Sequence, residues 1–503
     1  MMNANLYALF ASKFPQDRDA CCIETQDGLY YSWRDLERAT ARIANLLLSL
    51  GLPRDARVAV QVEKSPEALM LYLATLRAGY IYLPLNTAYR ADEIDYFIGN
   101  AEPAVVFCSP QNFGWVSQIA FKSGTRHVFT LSEQRSGSLL ERATHHADQC
   151  EPTMRQPDDL AAILYTSGTT GRSKGAMLSH DNLAANAKTL HAYWHWQDGD
   201  VLLHVLPLFH VHGLFVASHG ALLNGSKMIF LPKFDSAEVI RRLPQATIFM
   251  GVPTYYVRLL SEPTFNRSAC ANMRLFVSGS APLLLDTFSD FIERSGHTIL
   301  ERYGMSETNM LTSNPYDGKR VGGSVGLPLP GVSVRVANDQ GQVCASDEIG
   351  AIQVKGPNVF KGYWRMPEKT AEEFTADGYF ITGDVGKFDS DGYLWIVGRS
   401  KDLIISGGYN VYPKEIESVL DEMEGVAESA VIGVPHADYG EAVLAVVVGK
   451  PDANLSADAM IAALKLKIAN FKVPKRIVFV DDLPRNTMGK VQKKILREQY
   501  SAA

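Results

Sequence analysis

Residues 165–175 run Tyr165, Thr166, Ser167, Gly168, Thr169, Thr170, Gly171, Arg172, Ser173, Lys174, Gly175. This is poor material for a core and good material for holding an anion. Glycine lets backbone N–H groups close on phosphate oxygens, the hydroxyls add donors, and Lys174 adds a point charge. The order is not G-x-x-x-x-G-K-[ST], because Lys174 precedes Gly175. A surface linker is the plain alternative, since Gly/Ser/Thr runs usually are linkers.

Four further groups of residues could act on the same kind of ligand. Glu307 offers hard oxygens that suit Mg²⁺ bridging phosphates, and Tyr303, beside Gly304, offers a flat face for a purine. A Tyr-Gly turn with a solvated glutamate is the simpler reading of that stretch taken alone. Asp384 could accept both protons of a ribose diol, with Arg399 holding the same sugar. A cross-strand ion pair is the common alternative. Lys490 follows Gly489 in a loop and could reach a site on another domain, though one lysine in a basic tail is ordinarily solvated. His210 and His212 would share a face if extended, yet no third ligand accompanies them to make a metal site.

These residues need a scaffold that brings them together. Ser32 and Asp35 form a capping box before a helical pattern closed by Gly51 and Pro53. Ser65 and Pro66 open a second helix that Gly79 ends. Short apolar runs at 58–60, 81–83, 104–107, 160–164, 246–250 and 275–277 read as strands between them. This alternation predicts parallel sheets flanked by helices, with ligand sites beyond the strands' carboxyl ends. From about Gly331 the pattern becomes β-rich. Asp391 and Gly392 read as a two-residue type I′ turn whose register sets Asp384 opposite Arg399. Beyond residue 400 a compact αβ unit remains, with a final basic helix near 491–499. The expected architecture is α/β: a large domain over 1–399 with a β-rich subdomain, and a small mobile αβ domain over 400–503.

The 165–175 loop resembles the signature loop of the adenylate-forming superfamily of acyl-CoA synthetases, luciferases and peptide-synthetase adenylation domains. Tyr303, Gly304, Ser306 and Glu307 resemble its Y-G-x-[ST]-E motif, Asp384 and Arg399 its ribose-binding motifs, and Pro484, Asn486, Gly489 and Lys490 its P-x-[NT]-x-x-G-K motif. The resemblance covers essentially the whole chain. It implies a two-step reaction in which a carboxylate and ATP give acyl-AMP and CoA then displaces AMP. It also assigns roles. Lys490 would be catalytic, with His210 near the reacting carboxylate. Thr166, Ser167, Gly168, Thr169, Thr170, Lys174, Ser278, Glu301, Arg302, Tyr303, Gly304, Met305, Ser306, Asp384, Arg399 and Gly408 would hold ATP and CoA. Thr166 and Glu307 would bind Mg²⁺, and Lys401 would be the hinge. Acylation of the motif lysine is a common control in the family, so a protein lysine acetyltransferase and a deacetylase are expected partners of Lys490.

The substrate rests on fewer residues. Arg258 lies among apolar neighbours just past a strand end. It is either on the wet face of a short helix or aimed into the acyl pocket, where a second carboxylate would be its bidentate partner. The surroundings of Arg258, Ser280 and 301–305 resemble malonyl-CoA synthetases, in which the matching arginine and serine hold the distal carboxylate. Malonate, with methylmalonate as a variant, is therefore the expected substrate; acetate or an aryl acid is the alternative.

Composition excludes several classes. With 503 residues, 46% apolar and 21% charged, the chain has the make-up of a globular protein of more than one domain. A net charge of −6 and no basic block argue against nucleic-acid or membrane-surface binding. Six scattered cysteines without C-x-x-C spacing point to reduced thiols. No secretory signal or apolar span of transmembrane length is evident, so a cytoplasmic protein is expected.

Overall fold

Strand runs and helix caps predicted from the sequence recur as the framework of two large sheets. The structure, a computed structural model, describes residues 3–166, 173–406, 409–436, 439–486 and 489–501, with the backbone alone at 409 and 410. Trp33–Ser49 begins at the Ser32 capping box, and Pro66–Arg77 at the Ser65 cap with proline in its first turn. Every residue of Pro66–Arg77 is buried, because the helix lies between the sheets. Its Tyr72 touches Tyr82 on one side and Phe215 and His219 on the other.

One sheet has six strands. Arg57–Gln61, Ile81–Pro84, Val105–Cys108, His127–Thr130 and Leu160–Thr166 run parallel, and Lys174–Ser179 folds back antiparallel on Leu160–Thr166. The other has nine strands, with Val201–His204, Lys227–Phe230, Ile248–Gly251, Leu275–Ser278 and Leu300–Met305 parallel at its centre. The glycine-rich stretch thus joins two antiparallel strands, and Ser278 and Ser280 lie at or just past the carboxyl end of Leu275–Ser278, where open α/β sheets bind ligands.

The β-rich part is a four-stranded antiparallel sheet of Ser333–Ala337, Gly350–Lys355, Phe380–Phe388 and Leu394–Arg399. Asp384 pairs with Arg399 as expected, but the turn between them is different. Asp389 N donates to Tyr393 O, so the loop holds three residues, and only Gly392 of the three is left-handed (φ +83°). A type I′ turn would need Asp391 left-handed as well. The longer loop shifts the pairing by one residue, and a β-bulge at Val385/Gly386 shifts it back. Two departures from the expected hairpin cancel.

A one-turn 3₁₀ segment, Ser400–Asp402, leads to a five-stranded sheet of Ile404–Ser406, Tyr409–Val411, Val426–His436, Gly440–Gly449 and Arg476–Val480. It has its own core, in which Ile416 and Leu420 of the helix Pro413–Asp421 pack on Val431, Val443 and Val447. The mixed α/β class with a smaller C-terminal sheet is the one the sequence predicts. All six cysteines are unpaired, and among the described residues no helix is long and apolar enough to cross a membrane.

Candidate active site

Three sides of one cleft can be built from the described residues. On the first, Asp384 presents both carboxylate oxygens to fixed partners: Oδ1 lies 2.9 Å from Arg399 Nε and Oδ2 accepts from the Tyr303 hydroxyl at 2.5 Å. The cross-strand register supplies the first contact and the strand Leu300–Met305 the second. A carboxylate held this way is ready to accept from a vicinal diol.

The second side is the hairpin of Leu160–Thr166 and Lys174–Ser179. Thr166 pairs with Lys174 across its two strands. Lys174 Nζ lies 2.7 Å from Glu373 and 4.0 Å from the centre of the Tyr363 ring, whose hydroxyl donates to Glu373 at 2.7 Å and lies 3.1 Å from Glu307. Glu307 is 5% exposed and burial raises its carboxyl pKa. Sequence reasoning missed Tyr363 and Glu373, which lie in no motif it recognised. Ser167, Gly168, Thr169, Thr170 and Gly408 lie outside the described residues.

The third side is unexpected. Alternation along Leu300–Met305 sends Glu301 and Tyr303 one way and Arg302 the other. Arg302 is 4% exposed, and its Nε and Nη2 have no partner among the described residues. The guanidinium presses so closely on Gly279 that a Cβ there would fall 2.4 Å from it. Burial pushes its pKa down to about 9, which still leaves it charged at neutral pH. A buried, charged, unpaired guanidinium is costly unless an anion joins it.

Around Arg302 stand His210, His212, Ser278 and Ser280. The two histidines are not extended: Leu214 N bonds back to His210 O, and His212–Ala217 is a π-helical turn, a geometry frequent at functional sites. Burial first, then the charges of Lys490 and Arg302, push His210 down to about 3, and burial with Arg302 pushes His212 well down. Both rings are neutral at pH 7. Ser280 Oγ lies 3.5 Å from His212 Nδ1 on a left-handed backbone (φ +75°), strain of a kind that collects at ligand sites. Ser278 Oγ is buried without a partner. Among the described residues no three His, Cys, Asp or Glu side chains gather to hold a metal.

Arg258 is exposed on the helix Pro253–Ser261, as the wet-face reading of its surroundings expects. Glu301 spends an oxygen on Gly323 N at 3.0 Å, and burial pushes its carboxyl up to about 8. Gly304 is required by its neighbouring strand, since a Cβ would lie 2.0 Å from Asn309 O. Met305 and Ser306 are half-buried beyond the strand's Tyr303/Gly304 bulge.

Lys490 comes from the small unit. It is half-buried, and burial first, then Arg399, pushes its ammonium down to about 8 while Asp384 and Glu307 oppose that shift. The same lysine therefore feels both the sugar side and the Arg302 side of the cleft. Lys401 is exposed on the 3₁₀ turn, and its neighbour Asp402 pairs with Arg497 at 2.7 Å.

Residues 8–364 match the AMP-binding enzyme family, and residues 415–490 match the AMP-binding enzyme C-terminal domain. The chain belongs to the AMP-binding enzymes. This AMP-binding enzyme is 34% identical to a malonate–CoA ligase of Arabidopsis thaliana over 99% of this chain and 89% of that one. The crystal structure of ATP-bound MatB from Rhodopseudomonas palustris is 56% identical, covers 99% of both chains and superposes with a TM-score of 0.97. The apo form of that MatB gives 0.87. The AMP-binding enzyme described here therefore has an arrangement closer to the nucleotide-bound one.

Proposed function

We propose that the protein is a malonate–CoA ligase, joining malonate to CoA as ATP is cleaved to AMP and diphosphate. The observation that carries the substrate is Arg302. It is charged, buried and unpaired beside the segment that shapes the acyl side, so it suits a ligand with a second carboxylate. Similarity to malonate–CoA ligases supports the same reading. Arg302 and Ser280 would hold the distal carboxylate, with His212 behind Ser280, while His210 borders the reacting one. Arg258, on the exposed side of its helix, would at most guide the anion inward.

In the first step a carboxylate oxygen attacks the α-phosphorus of ATP, the new O–P bond forming as the bond to diphosphate breaks. Lys490 neutralises the charge that builds on the α-phosphate and carboxylate oxygens, with no reorganisation at the moment of reaction. Asp384 accepts from the ribose hydroxyls, Arg399 and Tyr303 fix its orientation, and Lys174 with the glycine-rich stretch holds the triphosphate. In the second step the CoA sulfur, having lost its proton, attacks the acyl carbon and AMP leaves with the C–O electron pair.

Glu307 fits a magnesium ion: it is a buried carboxylate beside the Tyr363 hydroxyl, within reach of the charges of Lys174 and Arg399, with Thr166 as a candidate second ligand. When bound, the ion would supply charge against the departing diphosphate. We extend the reading to domains 1–399 and 400–503 turning about Lys401 between the two steps, and to Gly408 on the pantetheine path. Acetylation of Lys490 would abolish its charge and stop the first step. A cytoplasmic site of action belongs to the same reading.

The test is a panel of carboxylates with ATP, Mg²⁺ and CoA, scored for AMP. Malonate should lead, with methylmalonate next and acetate, propionate and benzoate at least about tenfold lower, the margin one charge-assisted pair provides. A monocarboxylate in first place would overturn the substrate assignment.

A further inference from the structure

Glu373 lies just past the short helix Pro367–Glu372, outside every motif, yet its carboxylate reaches Lys174. One of its oxygens lies 2.7 Å from Lys174 Nζ, and the other accepts from the Tyr363 hydroxyl at 2.7 Å. The same hydroxyl lies 3.1 Å from Glu307. Lys174, Glu373, Tyr363 and Glu307 thus form one unbroken chain of polar contacts. It joins the cation of the phosphate hairpin to the carboxylate suited to the metal.

The backbone makes this chain rigid. Tyr363 forms an antiparallel bridge with Ala176, Trp364 N donates to Gly175 O at 2.7 Å, and Met177 N donates to Gly362 O at 3.0 Å. Phe360 N donates to Glu307 O at 2.8 Å, and Tyr363 N to Thr370 Oγ1 at 2.9 Å. Residues 360–364 therefore act as an extra strand on the hairpin, tied at one end to Glu307 and at the other to the helix that delivers Glu373. Tyr363 is 2% exposed, and no motion of its own could break these contacts without unpairing the strand.

We propose that Tyr363 and Glu373 are positioning residues of the metal–triphosphate site. Glu373 orients the ammonium of Lys174. Tyr363 carries that orientation across to Glu307, whose shared hydrogen bond is the longer of the two and so the readier to yield to a cation. Neither residue need touch ATP. The inference rests on the assignment of Glu307 to the metal, and its test must separate the two.

Affinity for Mn²⁺–ATP, read from the electron paramagnetic resonance of free Mn²⁺, is compared with affinity for metal-free AMP by calorimetry. Tyr363→Phe keeps the ring under Lys174 and every backbone anchor; because it leaves buried carboxylates short of a donor, its melting temperature should fall modestly, and binding is compared well below that temperature. Losing a hydrogen bond to a charged group should weaken Mn²⁺–ATP about tenfold in Tyr363→Phe and in Glu373→Gln, with AMP affinity unchanged. Unchanged Mn²⁺–ATP affinity in both variants would overturn the proposal. So would a parallel loss of AMP affinity, which would mark a general structural role. Glu307→Gln is the control: if it too leaves Mn²⁺–ATP binding intact, the metal assignment itself falls. If it weakens binding while the other two do not, only the positioning role falls.

Discussion

Replacing Arg302 with methionine should separate recognition from stability, because in the free protein the guanidinium works against the fold. It is 4% exposed with two unpartnered nitrogens. Exchanging a buried ionic group for an apolar one of similar size is neutral or stabilising by about 1–4 kcal/mol. Arg302→Met should therefore melt at or above the wild-type temperature. Malonate, by contrast, would lose two charge-assisted hydrogen bonds of about 1.5–3 kcal/mol each. The sum, about 3–6 kcal/mol, corresponds to a fall in kcat/KM for malonate on the order of 10²–10⁴. Acetate has no second carboxylate, so its kcat/KM should change by less than about tenfold, a margin of about 1.4 kcal/mol. The assay is steady-state AMP formation with each acid, alongside thermal melts with and without malonate. Arg258→Met, made in parallel, should cost malonate less than about tenfold, since exposed charges contribute about 0–1 kcal/mol. The reasoning is refuted if Arg302→Met melts lower and keeps the wild-type ratio of malonate to acetate use. It is equally refuted if both acids fall together.

The remaining expectations concern Lys490. Lys490→Ala should slow malonate-dependent exchange of diphosphate into ATP by about 10²–10³, the usual effect of losing one preorganised charge in an active site. Thioester formation from presynthesised malonyl-AMP should continue at nearly the wild-type rate, and equal loss in both halves would sink the assignment. Burial lowers the ammonium to about 8, and in the proposed role the charged form is the active one. The kcat/KM of the first half-reaction should therefore be flat below that pH and decline as pH rises through it, a limb that Lys490→Arg moves upward because a guanidinium stays charged.

Much of this site could be read from the chain, and what could not has definite causes. The capping box at Ser32 and the proline after Ser65 fix helix starts locally, so those elements followed directly from residue type. Asp384 and Arg399 were paired correctly although the turn was not, because the bulge at Val385/Gly386 offset the third loop residue. Arg302 could not be told from Glu301 and Tyr303 by motif, since which side of a strand each occupies depends on its neighbours in the sheet. Arg258 had two readings from its neighbours, and its exposure fits the wet face that a nine-residue helix presents. The conformation at His210 and His212 was left open because nothing local announces a π-helical turn. Tyr363 and Glu373 acquire meaning only through a bridge to Ala176, nearly two hundred positions upstream.

The compensating bulge also constrains how this hairpin can change. Trimming the tip by one residue would, with the bulge retained, slide Asp384 out of line with Arg399 and turn one of the pair toward the opposite face. Length variation at a solvent-facing tip, ordinarily the most permissive place in a protein, is here tied to a compensating change deeper in the ribbon. Relatives that shorten the tip and still bind the nucleotide should have a straight ladder where this one is kinked.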